Sequence, residues 1–469
     1  MNDNERLVDK KYDGLTEFTI WMYGIGHVMN DLCAACWVNF LMYYIIYVQN
    51  LSTVTAGIVV LMLQISDGIS TPLVGFYSDK FTSRFGKRMI WFIYGTVITS
   101  VTFFFTWQDC YPCDLLEGSS RVIAQGFWYS VFSFASGAAW SAVQIPHIAL
   151  IPSLSPLKER KEKLIGLRSG FTYISNFAVL LAALIFFNFI ENPKLQFSLL
   201  CAFILTAGAI TDLLFIWNIK ENKLTEETQS GYRELKIQNE DELGNNKKTE
   251  LTWKEWLNKR ELYLIAAVYT LARVSNNVPP GLLPFYLTTV LEMGGKDDAE
   301  GNYNKTPLQL ASVPMVLYIG SVGTSFLLKK IGEKLSRKRQ FQIGMIFIVG
   351  ATIPLVFLTP DYQNLVFIIA LFLGIGFSLQ LNSSTGMVAL FVGEYGSSGA
   401  FVWGAVSLVD KFSLGIAISI LLNAGSLDSV NYMKFAMTVV PILASIIGTL
   451  IALNITKMQE YTKEGIIEE

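Results

Sequence analysis

A small set of ionisable residues lies inside stretches that are otherwise apolar: Asp67, Arg168, Arg273, Asp410, Lys411 and the pair His27/Asp31. A charge in hydrocarbon is costly, so each is a candidate functional residue. Asp67 suits a cation- or proton-linked carboxylate, or else a structural partner for a buried Lys or Arg. Lys411 offers an ammonium to an anionic or zwitterionic solute, or locks two parts of the chain together. Asp410 precedes it, and consecutive helical residues project about 100° apart, so the acid and the base there address different neighbours. Arg273, in Leu271-Ala272-Arg273-Val274-Ser275-Asn276-Asn277, and Arg168 can each clamp a carboxylate bidentately or pair with a protein acid. His27 and Asp31 are four apart and share a helical face. They suit either a proton-carrying imidazole–carboxylate pair or a helix–helix hydrogen bond. His147 is the only other histidine. With so few histidines and no clustered carboxylates, neither a metal site nor a cofactor is expected.

The elements that must position these residues are membrane helices. The chain has 469 residues, 52% hydrophobic and only 16% charged, with mean hydropathy +0.41. A soluble domain averages roughly 25% charged residues. Hydropathy places twelve spans at 16–47, 53–77, 89–107, 121–152, 164–190, 195–219, 261–290, 308–331, 341–359, 364–392, 399–423 and 435–456. The expected class is an all-α integral membrane protein of two six-helix halves, 16–219 and 261–456, with a leader of residues 1–15 and a tail of residues 457–469. Between the halves lies 220–260. Its part Glu226–Lys248 is charge-mixed and poor in apolar residues, which predicts a disordered linker. Leu251–Leu257 has apolar residues at helical spacing and predicts a helix lying on the membrane surface, its Trp residues at headgroup level.

Lys and Arg fall mainly on one face: Lys80, Arg84, Lys87 and Arg88, then Lys158–Lys163, the linker, and Lys329–Arg339. That face is expected to be cytoplasmic, and an even span count puts both termini there. The turn Glu394–Ser398 belongs to the same face yet carries no basic residue. Met1–Asp13 has no apolar core or cleavage site, so no signal peptide is expected. Asp3-Asn4-Glu5-Arg6-Leu7-Val8 is similar to an acidic dileucine sorting signal but ends in Val. Net charge is −2, which gives no basic field for nucleic acid. Cys110 and Cys113, in a loop on the non-cytoplasmic face, are open to three readings: a disulfide, favoured in an oxidising lumen, a redox contact, or idle thiols. Cys33 and Cys36 read as small packing residues. Asn50-Leu51-Ser52 and Asn304-Lys305-Thr306 are weak glycosylation patterns. No Ser–His–Asp set, phosphate loop or soluble domain suggests an enzyme.

Gly75-x-x-x-Asp79-Lys80 followed by Arg84, Gly86, Lys87 and Arg88 resembles the signature loop of the major facilitator superfamily. The loop reads as a gate element; anchoring by positive charge explains its basic residues but not Asp79 or Gly86. Its spacing resembles the glycoside–pentoside–hexuronide:cation symporters. So do Tyr23-Gly24-Ile25-Gly26, Ile145-Pro146-His147-x-x-Leu150-x-Pro152, Arg168, Glu394-Tyr395 and Lys411. Longer strings resemble one animal subgroup, major facilitator superfamily domain-containing protein 12: Tyr23–Ala34, Asp67-Gly68-x-x-Thr71-Pro72-Leu73-Val74-Gly75, Cys110-x-x-Cys113, Gly399-Ala400-Phe401-Val402-x-Gly404 and Asp410-Lys411.

The resemblance implies a lysosomal or melanosomal membrane protein, monomeric, that carries cysteine or a similar zwitterion across the organelle membrane. It implies that Lys411 faces the first half and pairs with Asp67. It also sets the departures. His27 stands where the sugar symporters carry a sugar-binding Asp, Gln144 replaces a second Asp, Ile148 an aromatic, and Thr71 one acid of a sodium-site pair. Sugar and sodium are therefore disfavoured. The expected solute contacts are His27, Asp31, Gln144, His147, Arg168, Arg273 and Lys411, with coupling at Asp67, Thr71 and Lys411 by a proton or cation. The competing readings are a lysolipid or other cation-coupled symporter and a non-transporting membrane scaffold.

Overall fold

The computed structural model describes residues 15–155, 157–238, 253–293, 306–332, 334–393 and 399–455, and the backbone of a hairpin at 459–462 and 465–468. The dileucine-like stretch, the turn at 394–398 and linker residues 239–252 lie outside the described residues.

The described chain is helical apart from that hairpin, Gln459–Thr462 antiparallel to Gly465–Glu468. We number the helices α1 Glu17–Ile25, α2 Val28–Tyr43, α3 Thr53–Lys80, α4 Met89–Thr106, α5 Gly118–Ala149, α6 Ile151–Leu154, α7 Lys158–Phe189, α8 Pro193–Asn218, α9 Glu221–Gln238, α10 Trp253–Leu257, α11 Arg260–Thr289, α12 Gln309–Gly332, α13 Arg337–Thr352, α14 Leu365–Gly393, α15 Gly399–Asn423 and α16 Val430–Leu453. Starts are set by local chemistry. Ser52, Asn192, Ser336 and Ser429 each accept a backbone N–H of the first turn, and Pro193 fills a position needing no donor.

Among the described residues eleven helices, counting α1 and α2 with the π-turn Tyr44–Val48 as one and α5 with α6 as another, are long and apolar enough to cross a membrane. The 30-residue α11 is also long enough, but Arg260, Glu261, Arg273, Asn276 and Asn277 make it more polar. The outward face is apolar: Phe127 is 71% exposed, Trp217 77% and Phe326 81%. Water would not tolerate such a band, and lipid does.

Two bundles form, α1–α8 and α11–α16. In the first, α5 packs on α3 and α4; in the second, α14 packs on α12 and α13, and α11 on α16. They meet along α3–α15, α7–α12 and α2–α11.

Two expectations for the connecting segment change. Residues 226–238 are helical, as part of α9, not disordered. The helix is anchored near its start, where Glu221, Leu224 and Thr228 are buried, and it packs on α6. Trp256 of α10 is turned into the protein rather than outward to headgroups. It is buried against Phe391, with ring centroids 5.2 Å apart.

Candidate functional site

A cavity of about 430 Å³ lies between the bundles. Its wall includes Asp67, Gln144, Arg273 and Lys411 of the expected residues. Asp67 lies midway along α3. Gly137 lets α5 approach so closely that an added Cβ would sit 2.9 Å from the Asp67 nitrogen. That approach brings Ser141 within reach: its Oγ donates to Asp67 Oδ1 at 2.8 Å. Thr71, one turn on, is 3.3 Å from the same oxygen and 3.0 Å from Ser141. Lys411 Nζ, from the other bundle, donates to Asp67 Oδ2. Gly68 makes this reach short, since a Cβ there would lie 3.3 Å from Lys411 Cβ.

Asp410 and Lys411 diverge, as consecutive helical residues must. Asp410, 1% exposed, turns to α11 and accepts from Arg273 Nε at 3.2 Å. Of the two roles open to Arg273, pairing with a protein acid is therefore occupied, while its side chain also lines the cavity. Gln144 Oε1 accepts from Trp140 Nε1 at 2.9 Å, and both residues line the cavity. Gln64 Oε1 and Asn276 Oδ1, also on cavity-lining residues, have no hydrogen-bond partner among the described residues. They are acceptors on a wall otherwise marked by cations.

His27, Asp31, His147 and Arg168, expected with Gln144, Arg273 and Lys411 as solute contacts, are not among the residues that line this cavity. The first span breaks at Gly26–His27, where α1 ends and α2 begins. The break turns His27 into the α1–α2–α7 interface, where it is buried. Arg168 Nη2 donates to His27 Nε2 at 3.0 Å, and His27 Nδ1 lies 3.0 Å from Asp31 Oδ1. A guanidinium only donates, so Nε2 accepts and Nδ1 carries the proton toward the carboxylate. Thr172 donates to Asp31 Oδ2 at 2.8 Å and itself lines the cavity, so the cluster stands one residue behind the wall. His147 stacks on Tyr23 at 4.4 Å, and its Nε2 donates to the Tyr23 carbonyl at 3.1 Å. The aromatic face and the helix crossing explain it.

The signature loop is held by its own bundle and by α9. Gly86 has φ +118°, a conformation that favours glycine. Glu221 accepts from Arg88 N at 2.9 Å and from Met89 N at 2.8 Å, capping α4 from outside. Arg88 Nη1 donates to Ser153 at 2.6 Å, and the Arg84 guanidinium lies over Phe85 at 4.7 Å. Lys87 is exposed, and Gly75 packs near Ile145. The Asp79 side chain lies outside the described residues. Cys110 and Cys113 form a disulfide, and Cys33, Cys36 and Cys201 are buried free thiols. Among the described residues no His/Cys/Asp/Glu group is placed to hold a metal.

The sequence reading missed Ser141, Gln64, Asn276 and Glu221. It also missed Asp212, a buried acid on α8 that accepts from Thr96 at 3.0 Å. Asp212 carries the same signal that singled out Asp67, an acid inside an apolar run.

Comparison with known proteins places this geometry. The chain is 29% identical to horse (Equus caballus) major facilitator superfamily domain-containing protein 12 over 85% of this chain and 83% of that one. It is 28% identical to the human protein of the same name over 84% and 82%. A chicken (Gallus gallus) sodium-dependent lysophosphatidylcholine symporter 1 is 28% identical over 30% of this chain and 25% of that one. Among solved structures, a D-xylose–proton symporter superposes with TM-score 0.63 at 14% identity, covering 92% of this chain and 97% of its own, which speaks for the fold alone. The Major Facilitator Superfamily model matches residues 23–417, and the chain belongs to that superfamily.

Proposed function

We propose that the chain is a secondary transporter of twelve membrane helices that moves a small zwitterion, cysteine in the first instance, by alternating access of its cavity to the two sides. One observation carries this reading: acidic and basic side chains of both bundles converge on a single internal cavity, Asp67 from the first and Lys411 and Arg273 from the second. Such charges in a membrane interior mark solute pathways. The solute's carboxylate is met by Lys411 and Arg273, its ammonium by Gln64, Asn276 and Gln144. A single machine of this kind needs no second subunit, and the long strings shared with the animal subgroup support an organelle membrane with both termini cytoplasmic.

The test is uptake of labelled cysteine into organelles bearing the protein, with competing amino acids and lysophosphatidylcholine present in separate arms. Lys411→Ala, at normal expression, is expected to lose uptake. Undiminished uptake removes Lys411 from the site, and competition by the lysolipid alone removes the zwitterion.

A further inference from the structure

We propose that Lys411 is a tethered counter-cation: its ammonium fills the place on Asp67 that a free monovalent cation would otherwise take. The carrier in this conformation then holds neither sodium nor an added proton there. The inference rests on the reading of this cavity as the transport site, but its test does not involve the solute.

The argument starts from what Asp67 needs. Its carboxylate is buried and requires compensation by charge and hydrogen bonds. Both oxygens are supplied. Oδ2 takes the ammonium of Lys411, and Oδ1 takes the hydroxyls of Ser141 and Thr71 at 2.8 and 3.3 Å. Among the described residues no other titratable group is in direct contact with it from the elements packed around it. From α5 the contact is the Ser141 hydroxyl, while Asp410 of α15 is turned away onto Arg273 of α11. Arg273 stands on the cavity wall with Asp67 and adds positive field from the second bundle. A sodium ion arriving here would have to expel a covalently held cation and face a guanidinium.

The same geometry says what removing Lys411 leaves behind. Asp67 Oδ1 and Oδ2, Thr71 Oγ1, Ser141 Oγ and the Asp67 carbonyl, which lies 3.2 Å from Ser141 Oγ, form a cluster made only of oxygens. Hard cations select such ligands. The site is thus one substitution away from accepting a free cation, and the lysine keeps it closed. One relative is named a sodium-dependent symporter; this chain meets the same requirement for a positive charge from within.

The experiment measures thermal unfolding of the purified full-length protein in sodium chloride and in choline chloride at equal ionic strength, at neutral and mildly acidic pH. A cation that binds only the folded state raises Tm. Wild type is expected to unfold at one Tm in both salts. Lys411→Ala is expected to fall in Tm and to recover either in sodium, which identifies a sodium site, or on acidification in both salts, which identifies a proton. The acid arm has this sign because an uncompensated buried carboxylate gains folded stability as it binds a proton. Adding Asp67→Asn to Lys411→Ala is expected to abolish either response. Sodium-specific stabilisation of wild type overturns the proposal. So does a Lys411→Ala protein indifferent to both sodium and pH, or a response that survives Asp67→Asn. Should Lys411→Ala fail to accumulate, Lys411→Gln carries the same arms, and the wild-type arm refutes alone. Loss of the cysteine reading leaves every arm standing.

Discussion

The Arg273–Asp410 pair permits a worked prediction because its two members are unequally placed. The Asp410 side chain is 2% exposed, and its second oxygen has no hydrogen-bond partner among the described residues. Arg273 is 26% exposed and borders the cavity. At 3.2 Å, Coulomb's law with an effective dielectric of about 20 gives about 5 kcal/mol of attraction. Arg273→Met leaves Asp410 charged and enclosed, which costs about 3–5 kcal/mol. Asp410→Asn instead leaves a guanidinium that can be hydrated from the cavity, and forfeits about 1.5–3 kcal/mol for a hydrogen bond to a charged group. The double variant Arg273→Met/Asp410→Asn buries no lone charge, so it is expected to be more stable than Arg273→Met alone. Thermal unfolding of the purified wild type, two singles and double closes a double-mutant cycle. If Asp410→Asn proves the more damaging single, or if the two losses simply add in the double variant, the assignment of Asp410 as an enclosed charge dependent on Arg273 is wrong.

Four further outcomes are expected. Gly86→Ala forces a side chain into positive φ against the Glu221 carboxylate and should cost about 1–3 kcal/mol. Glu221→Ala, which removes the cap from α4, should cost about 1 kcal/mol, and trypsin should then cut the signature loop faster. Under native conditions a maleimide should label none of the five cysteines, because three are buried and two are joined. Reduction followed by unfolding should expose all of them to the reagent, as read by intact mass. The Thr306 hydroxyl is buried and donates to Gln196, so the Asn304-Lys305-Thr306 pattern should carry no glycan, and Asn304→Gln should leave the mobility of the protein unchanged.

Helices, their order and the division into two bundles were legible because hydropathy is summed over whole spans and survives errors in single residues. The charged residues of the cavity were legible for a related reason: in an apolar run any charge is conspicuous. What was not legible is what each charge faces. Lys411 and Asp67 are 344 positions apart, and only the family resemblance put them together. His27 was expected at the solute because it stands where the sugar symporters carry a sugar-binding Asp; spacing shows that it shares a face with Asp31, but not which face. The break at Gly26–His27 decides that, through backbone angles that a hydropathy profile does not register. Glu221 was overlooked since a surface glutamate is unremarkable until its backbone partners, Arg88 and Met89, fold back onto it. The disorder expected for 226–238 failed because mean composition does not show that Glu221 and Leu224, just before that stretch, and Thr228 within it are buried.

The seams between the bundles say where the molecule is closed. Along α3–α15 small residues recur. A Cβ at Gly57 would lie 2.9 Å from Ser419 Oγ, one at Gly415 3.1 Å from Gln64, one at Gly68 3.3 Å from Lys411, and one at Gly404 3.9 Å from Pro72. Small residues are what let helices approach closely in lipid, where no hydrophobic force drives them together. These contacts run from Gly57–Ser419 to Pro72–Gly404, with the Asp67–Lys411 pair between them. The α2–α11 seam differs. Its contacts sit at the end that holds the disulfide loop, where Met42 meets Gly281 and Tyr47 lies 5.5 Å from Phe285. Contacts on both sides of it place the Asp67–Lys411 pair within the α3–α15 seam rather than at a lip. A pair at a lip would lose its partner wherever the seam parted and would strand two charges in low dielectric, at several kcal/mol per ion. Inside the seam, each charge of this conformation is compensated by the other.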